Sequence, residues 1–314
     1  MMDMEGQELI PPPPPPTDDR CYRHPDRVTG VHCTRCGRPI CTECMVPAPV
    51  GHQCPTCVGE ARREFAAGPG RRIAIANAKR VSVTNVLVAI IVAVFVIEVF
   101  QSGVGGLITG PNARTLIDLG AENPVLVASG ETWRMFTAMF LHIGLIHLAV
   151  NAYSLYILGN VLEREVGRVR FLALYVLSGL FASAASYYFS PLNSVSAGAS
   201  GAIFGIFGAV FAINYRRRHT AQGAMAMRAM AQIIVLNVII NVVLSSYLDW
   251  RAHVGGAIAG MVMGFAFAVP GRESRQRWIS IAGCAAVALA IVAIVVVRTD
   301  QIRAAMGVVL GTVS

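Results

Sequence analysis

From residue 83 onward the chain runs through successive apolar stretches. Each is near the roughly 20 residues that a helix needs to cross a bilayer. Seven spans are predicted, at about 83–100, 143–162, 169–189, 197–215, 229–247, 252–270 and 278–297. The fourth is the least hydrophobic. Composition agrees: 54% of residues are hydrophobic and only 14% are charged, where a soluble domain carries roughly a quarter charged. The pattern excludes a soluble globular chain. It predicts an all-α polytopic membrane protein with a small polar domain in front.

The basic residues set the expected orientation, because loops rich in Lys and Arg stay in the cytoplasm. Arg62, Arg63, Arg71, Arg72, Lys79 and Arg80 precede the first span. Arg164, Arg168 and Arg170 follow the second. Arg216, Arg217, Arg218 and Arg228 follow the fourth, and Arg272, Arg275 and Arg277 follow the sixth. The other side holds only Arg114, Arg134, Arg251, Arg298 and Arg303. The N-terminal domain is thus expected in the cytoplasm and the C-terminus, with a tail over 298–314, outside. On this view the net charge of +8 reflects topology and not a nucleic-acid partner. The alanine-, valine- and arginine-rich composition fits a bacterial plasma membrane. The segment 101–142 is expected to be external and partly interfacial, with Trp133 and Arg134 at headgroup depth.

No secretory signal is expected at the start, since residues 1–20 lack a basic beginning and an apolar core. Pro11–Pro16 favour extended polyproline, so 1–20 reads as a disordered tail. Residues 21–60 hold seven of the eight cysteines, in four pairs of ligands two residues apart: Cys21 and His24, Cys33 and Cys36, Cys41 and Cys44, Cys54 and Cys57. Such a pair aims two side chains at one ion, and two pairs complete a tetrahedral zinc site. Eight ligands suit two structural Zn2+ ions. A disulfide cluster or a redox pair is the rival, but disulfides rarely persist in the cytoplasm and seven is an odd number. The spacing resembles a B-box zinc finger, whose ligands interleave. That resemblance implies one ion on Cys21, His24, Cys41 and Cys44 and another on Cys33, Cys36, Cys54 and Cys57. His52, beside Cys54, is an alternative ligand, and His32 a weaker one. Residues 61–82 form a basic juxtamembrane linker.

Polar groups are expensive in lipid and need a reason to be there. His147 and Asn151 share one face of the second span, being four residues apart. Ser200 opens the fourth span and His253 the sixth. With the orientation above, all four fall near the outer face at similar depth. A serine hydroxyl needs a base to become a nucleophile, and a tetrahedral intermediate needs hydrogen-bond donors for its oxyanion. Glycines beside Ser200 and at Gly256, Gly260 and Gly264 equally suit close helix packing, so each residue taken alone also has a structural explanation.

The motifs "ETWRMFTAMFLHIGLIHLAVN", "LEREVG" with Glu163 and Gly167, "GASGAIF" and "HVGG" resemble the rhomboid family of intramembrane serine proteases over about residues 80–300. The resemblance implies a rhomboid-like six-helix core with a seventh C-terminal helix, over 83–297. It implies a Ser200–His253 catalytic dyad, with His147 and Asn151 supporting the oxyanion. Phe204 stands where many members have a tyrosine packed on the catalytic histidine, and His142 takes a structural role. Rhomboids lack a third acidic member, so Asp249 is expected to be an interfacial surface charge. Cys284 is expected to be buried and inert.

The expected function is a serine endopeptidase cutting transmembrane proteins within the bilayer, with no cofactor for catalysis. One alternative is a catalytically silent relative that retains membrane clients. Another is a transporter, which expects ionisable groups at the bilayer centre; Glu98 lies toward the end of the first span instead. The zinc domain could recruit substrate tails or another cytoplasmic protein, sense a signal, or brace the first span.

Overall fold

The chain divides into two units, residues 1–80 and 81–314, each described by itself. The computed structural model describes residues 19–67, 82–103, 110–243 and 249–311. The expected proline-rich tail up to residue 18 and the basic stretch 68–81 lie outside the described residues.

In the first unit, β1 (Arg20–Cys21) pairs antiparallel with β2 (His24–Val28) and β3 (Val46–Pro47) with β4 (His52–Gln53). Helix α1 (Pro55–Ala67) follows, and it runs beyond residue 60, where the zinc domain was expected to end. The core is six buried cysteines around Ile40. So little aliphatic surface cannot by itself offset the chain entropy of folding.

The second unit is helical. Helix α2 (Val83–Ser102) leads to three short helices, α3 (Ala113–Asp118), α4 (Pro124–Ala128) and α5 (Arg134–Thr137). Asn112 and Asn123 cap α3 and α4 through their side chains, and Pro124 takes the first turn of α4, where its missing N–H costs nothing. Then come α6 (Leu145–Val166, with a π turn at Leu155–Gly159), α7 (Arg168–Phe189), α8 (Ser200–Arg216), α9 (Ala221–Val243), α10 (Trp250–Phe267) and α11 (Glu273–Gly311). Among the described residues α2, α6, α7 and α11 are long and apolar enough to cross a membrane. The other expected spans coincide with α8, α9 and α10. Helices α8 and α10 have only 17 and 18 residues, and they pack at the centre of the unit.

Two buried carboxylates tie the bundle together. Glu163 of α6 accepts from Ser82 Oγ (2.7 Å), Val83 N (2.9 Å), Thr84 N (2.9 Å) and Thr84 Oγ1 (2.7 Å). It thereby satisfies the free N–H groups at the start of α2 and sits at that helix's positive end. Glu98, with no exposed surface, accepts the backbone N–H of His142 at 3.1 and 3.2 Å and pins the turn that precedes α6.

Helix α11 continues past residue 297, where the last span was expected to end, to Gly311. Its second half is docked. Ile302 is buried against Val127, Ala128 and Met135, Tyr187 Oη lies 2.9 Å from Thr299 Oγ1, and Arg303 Nε donates to Ala128 O at 2.8 Å. Arg134, expected at headgroup depth, is buried within the protein. It bonds Glu131 (2.7 Å) and the carbonyls of Ile117 and Ala121, and stacks on the half-exposed Trp133.

Helices α8 and α10 touch backbone to backbone. A Cβ added to Gly256 would overlap the carbonyl oxygen of Gly201, and one added to Gly260 would overlap that of Gly205. Close approach of this kind is how membrane helices associate without a hydrophobic driving force. Gly260→Ala should therefore lower the thermal midpoint by the equivalent of about 1–3 kcal/mol, the usual cost of forced overpacking. Gly307→Ala is the control, since nothing lies within 4 Å of its added methyl. Equal melting of the two variants would refute the backbone contact.

Candidate functional site

Ser200 is the first residue of α8, on a turn made by Gly198, whose φ is +141°. The N–H groups of a helix's first turn lack intrahelical acceptors, so they are available to whatever lies beside Ser200. His253 lies one turn into α10 and is buried. Its Nε2 is 2.9 Å from Ser200 Oγ. The ring of Phe204, one turn after Ser200, stacks on the imidazole at 4.2 Å and 14°, as the resemblance implied. The α8–α10 crossing thus sets the distance between serine and histidine.

His147 lies on the opposite wall. A Cβ on Gly198 would come within 2.7 Å of His147 Cε1, so only glycine admits the imidazole there. The backbone N–H of Ile143 donates to His147 Nδ1 at 3.4 Å. That leaves the imidazole proton on Nε2, the nitrogen nearest Gly198. A cavity of about 40 Å³ joins His147, Gly198, Ser200 and His253 and extends to Ser183 and Asp249. It is large enough for water. Asn151 is one turn further along α6. It is buried, its amide donates to His147 O at 2.9 Å, and it is not among the residues lining the cavity. The structure thus gathers Ser200, His253 and His147 and leaves Asn151 behind them.

Asp249 corrects the expectation of a surface charge. Its Oδ1 caps α10 by accepting from Arg251 N (3.2 Å) and Ala252 N (3.4 Å), and its Oδ2 accepts from Ser196 Oγ (3.0 Å) and Ser186 Oγ. One carboxylate therefore joins the histidine helix, α7 and the segment that leads to Ser200. Ser196 in turn exchanges two backbone bonds of 3.0 Å with Glu122. The Glu122 carboxyl is buried, and burial, with Asp249 adding to it, pushes it well above the usual carboxylate range. The sequence signal was available: Asp directly before a helix is a favoured N-cap. Asp249→Ala should cost about 1 kcal/mol of stability and slow any cleavage by up to about 100-fold through misplacement of His253. Asp249→Asn, which keeps the cap, should recover most of the rate. An Asn variant as slow as Ala would show that positioning is not the role of the cap.

In the first unit the cysteines fall into two clusters, Cys21, His24, Cys41 and Cys44, and Cys33, Cys36, Cys54 and Cys57, with ligand atoms within 4.8 Å of one another in each. These are the interleaved sets that the B-box spacing implies. His52 and His32 belong to neither, and His32 instead pairs with Asp19 at 2.8 Å. Burial opposes ionisation of Cys21 and Cys33, but backbone N–H groups aimed at the sulfurs prevail and bring both thiols down to about 6. At Cys44 and Cys57 burial, reinforced by the adjacent sulfurs, pushes the thiols up to about 11 and about 12. Sulfurs this crowded do not all ionise alone, and a divalent cation supplies the charge they lack. The donor sets fit a metal ion.

Comparison with known proteins places the second unit. A family model described as Rhomboid domain matches residues 129–270. The chain is 40% identical over 162 residues to Rhomboid protease GluP of Bacillus subtilis, covering 51% of this chain and 31% of that one. It is 39% identical over 173 residues to RHOMBOID-like protein 5 of Arabidopsis thaliana, covering 53% and 54%. YdcA of Bacillus subtilis, whose name assigns it provisionally to the rhomboid proteases, is 35% identical over 142 residues, 69% of its length. The chain belongs to the rhomboid family. It is an integral membrane protein of that family, and it spans about half or less of GluP and RHOMBOID-like protein 5. The matched stretch of the rhomboid domain contains Ser200, His253, His147 and Asn151. The cysteine clusters lie outside it.

Proposed function

We propose that the chain is an intramembrane serine endopeptidase that hydrolyses peptide bonds in or near transmembrane segments of other proteins. The observation that carries this reading is the 2.9 Å contact between His253 Nε2 and Ser200 Oγ, at a cavity of a rhomboid domain.

Ser200 Oγ attacks the scissile carbonyl carbon as its proton passes to His253 Nε2. The carbonyl oxygen becomes an oxyanion. The Nε2–H of His147 and the backbone N–H of Ser200 are placed to receive it, and Asn151 supports His147 from behind. The C–N bond then breaks. The amine leaves with the proton from His253, and an ester on Ser200 remains. Water gives its proton to His253, attacks the ester and releases the acid, with the proton returning to Ser200. Phe204 holds the imidazole plane by stacking, and Asp249 fixes the helix end beneath it without touching the substrate. The substrate segment must unwind locally, since helical backbone offers its carbonyls poorly to attack.

The cysteine clusters hold Zn2+ in this reading, as two structural ions that supply folding free energy to the first unit and no chemistry to the cut. The zinc-bearing N-terminus faces the cytoplasm of a bacterial cell, and seven helices cross the plasma membrane with the C-terminus outside.

A serine-reactive fluorophosphonate tests the proposal on the full chain in liposomes. Labelling should map to Ser200 and disappear in His253→Ala, and a panel of labelled single-span substrates should be cut by the unmodified chain. Labelling that survives loss of His253, or that falls on another serine, would overturn it.

A further inference from the structure

Away from the serine and histidine, the wall of the bundle between α7, α10 and α11 is left open. A groove of about 680 Å³ runs there, lined by Leu177 of α7, Phe267 of α10 and Ile281 and Ala288 of α11, with Arg170 and Arg277 among its walls. Arg170 and Leu177 are two turns apart on one face of α7. Arg277, Ile281 and Ala288 follow one face of α11 at the same helical spacing. The groove thus extends about 10 Å along α7 and about 16 Å along α11 from its two arginines.

The charge is confined to one end. Arg170 lies in the first turn of α7 and Arg277 in the second turn of α11, so both sit where those helices begin, at the end of α7 remote from Ser183 and the catalytic cavity. Nearby arginines are neutralised: Arg168 by Glu163 at 3.7 Å and Arg217 by Glu165 at 2.6 Å. Among the described residues neither Arg170 nor Arg277 makes a side-chain hydrogen bond or ion pair.

We propose that this groove is a binding site for one anionic phospholipid, its phosphate held between Arg170 and Arg277 and one acyl chain lying along Leu177, Phe267 and Ile281. An apolar channel that ends in two unneutralised guanidiniums is the complement of an anionic amphiphile. Basic pockets between membrane helices take such headgroups, and guanidinium matches phosphate geometry. A zwitterionic lipid fits the channel equally well but brings an ammonium that offsets its phosphate, so the arginines discriminate by net charge. Occupancy closes the open wall between α7 and α11. The site does not depend on the protease reading.

The test uses the full chain reconstituted with equal dioleoylphosphatidylglycerol and dioleoylphosphatidylcholine, extracted in detergent and weighed intact by native mass spectrometry. One phosphatidylglycerol should remain per chain, favoured over phosphatidylcholine about tenfold or more. Arg170→Gln with Arg277→Gln should abolish that preference. Arg170→Lys with Arg277→Lys should keep it, as should Arg272→Gln with Arg275→Gln, which changes the same net charge outside the groove. Arg277 is exposed, so Arg277→Gln alone carries the test if the double variant does not fold. Equal retention of the two lipids, retention unchanged in the glutamine variants, or displacement of the lipid by inorganic phosphate alone would overturn the proposal.

Discussion

Under the proposed function, replacing Ser200 with alanine should leave the chain folded and inserted, and should lower cleavage of a single-span substrate by about 10⁶-fold, the loss seen when a soluble serine protease loses its nucleophile. Ser200 Oγ is at the mouth of a helix whose packing is carried by Gly201, Gly205 and Gly208, none of which the substitution touches. Stability should therefore move by no more than one hydrogen bond, that to His253. His253→Ala should cost about as much activity. The double variant should be no worse than either single one, because a nucleophile and its base act as a unit and their losses do not add. Losses that multiply in the double variant would mean that the two residues act separately, and the dyad would have to be abandoned.

Removing metal should have the second large effect, confined to the first unit. A strong chelator should unfold residues 19–67 and expose them to protease, while the helices of the second unit keep their circular dichroism. The reason is the core itself: Ile40 is the one fully buried aliphatic side chain among the described residues of that unit, and the rest of its interior is sulfur. Structural zinc sites bind at about nanomolar or tighter, and their binding free energy is folding free energy. Metal analysis of the full chain should find two ions. Cys41→Ser should lower occupancy of one cluster, and Cys33→Ser of the other, whereas His52→Ala and His32→Ala should leave both filled. Protease resistance that persists after the metal is stripped would show that the ions do not hold the fold.

Much of this was legible in the sequence because the signals were local or strictly spaced. Apolar runs have a length, so α2, α6, α7, α8 and α10 could be placed within a few residues, whereas the short α3, α4 and α5 went unread, α9 starts well before its expected position and α11 runs well past its expected end. Paired ligands have a spacing, so the eight ligands could be picked out, while their division into two interleaved clusters came from the resemblance to a B-box. His147, Ser200 and His253 could be brought to one layer from topology, since each opens its helix from the same side. What the sequence did not carry were contacts between residues far apart in the chain. Glu163 reads as part of a motif, yet its work is to cap a helix some eighty residues earlier. Asp249 reads as a charge near a membrane surface, yet it accepts bonds from Ser186 and Ser196. The full length of α11 was not legible because Arg298, Asp300 and Arg303 break the apolar pattern. Hydropathy registers what a residue would do in lipid, and Arg303 is bonded to the carbonyl of Ala128 instead.

The contact of α8 with α10 has a mechanical consequence. Where two helices meet through glycine backbones, no side chain lies between them to flex, and the pair behaves as one stiff strut. Bilayers differ in thickness by several ångströms, and helices answer by tilting. The 17 residues of α8 make it about 26 Å long, shorter than the about 30 Å of a typical bilayer's hydrocarbon. That mismatch falls on the longer helices around it. Lipid thickness should then govern how a substrate reaches Ser200, while the spacing of Ser200 and His253 stays the same in every membrane.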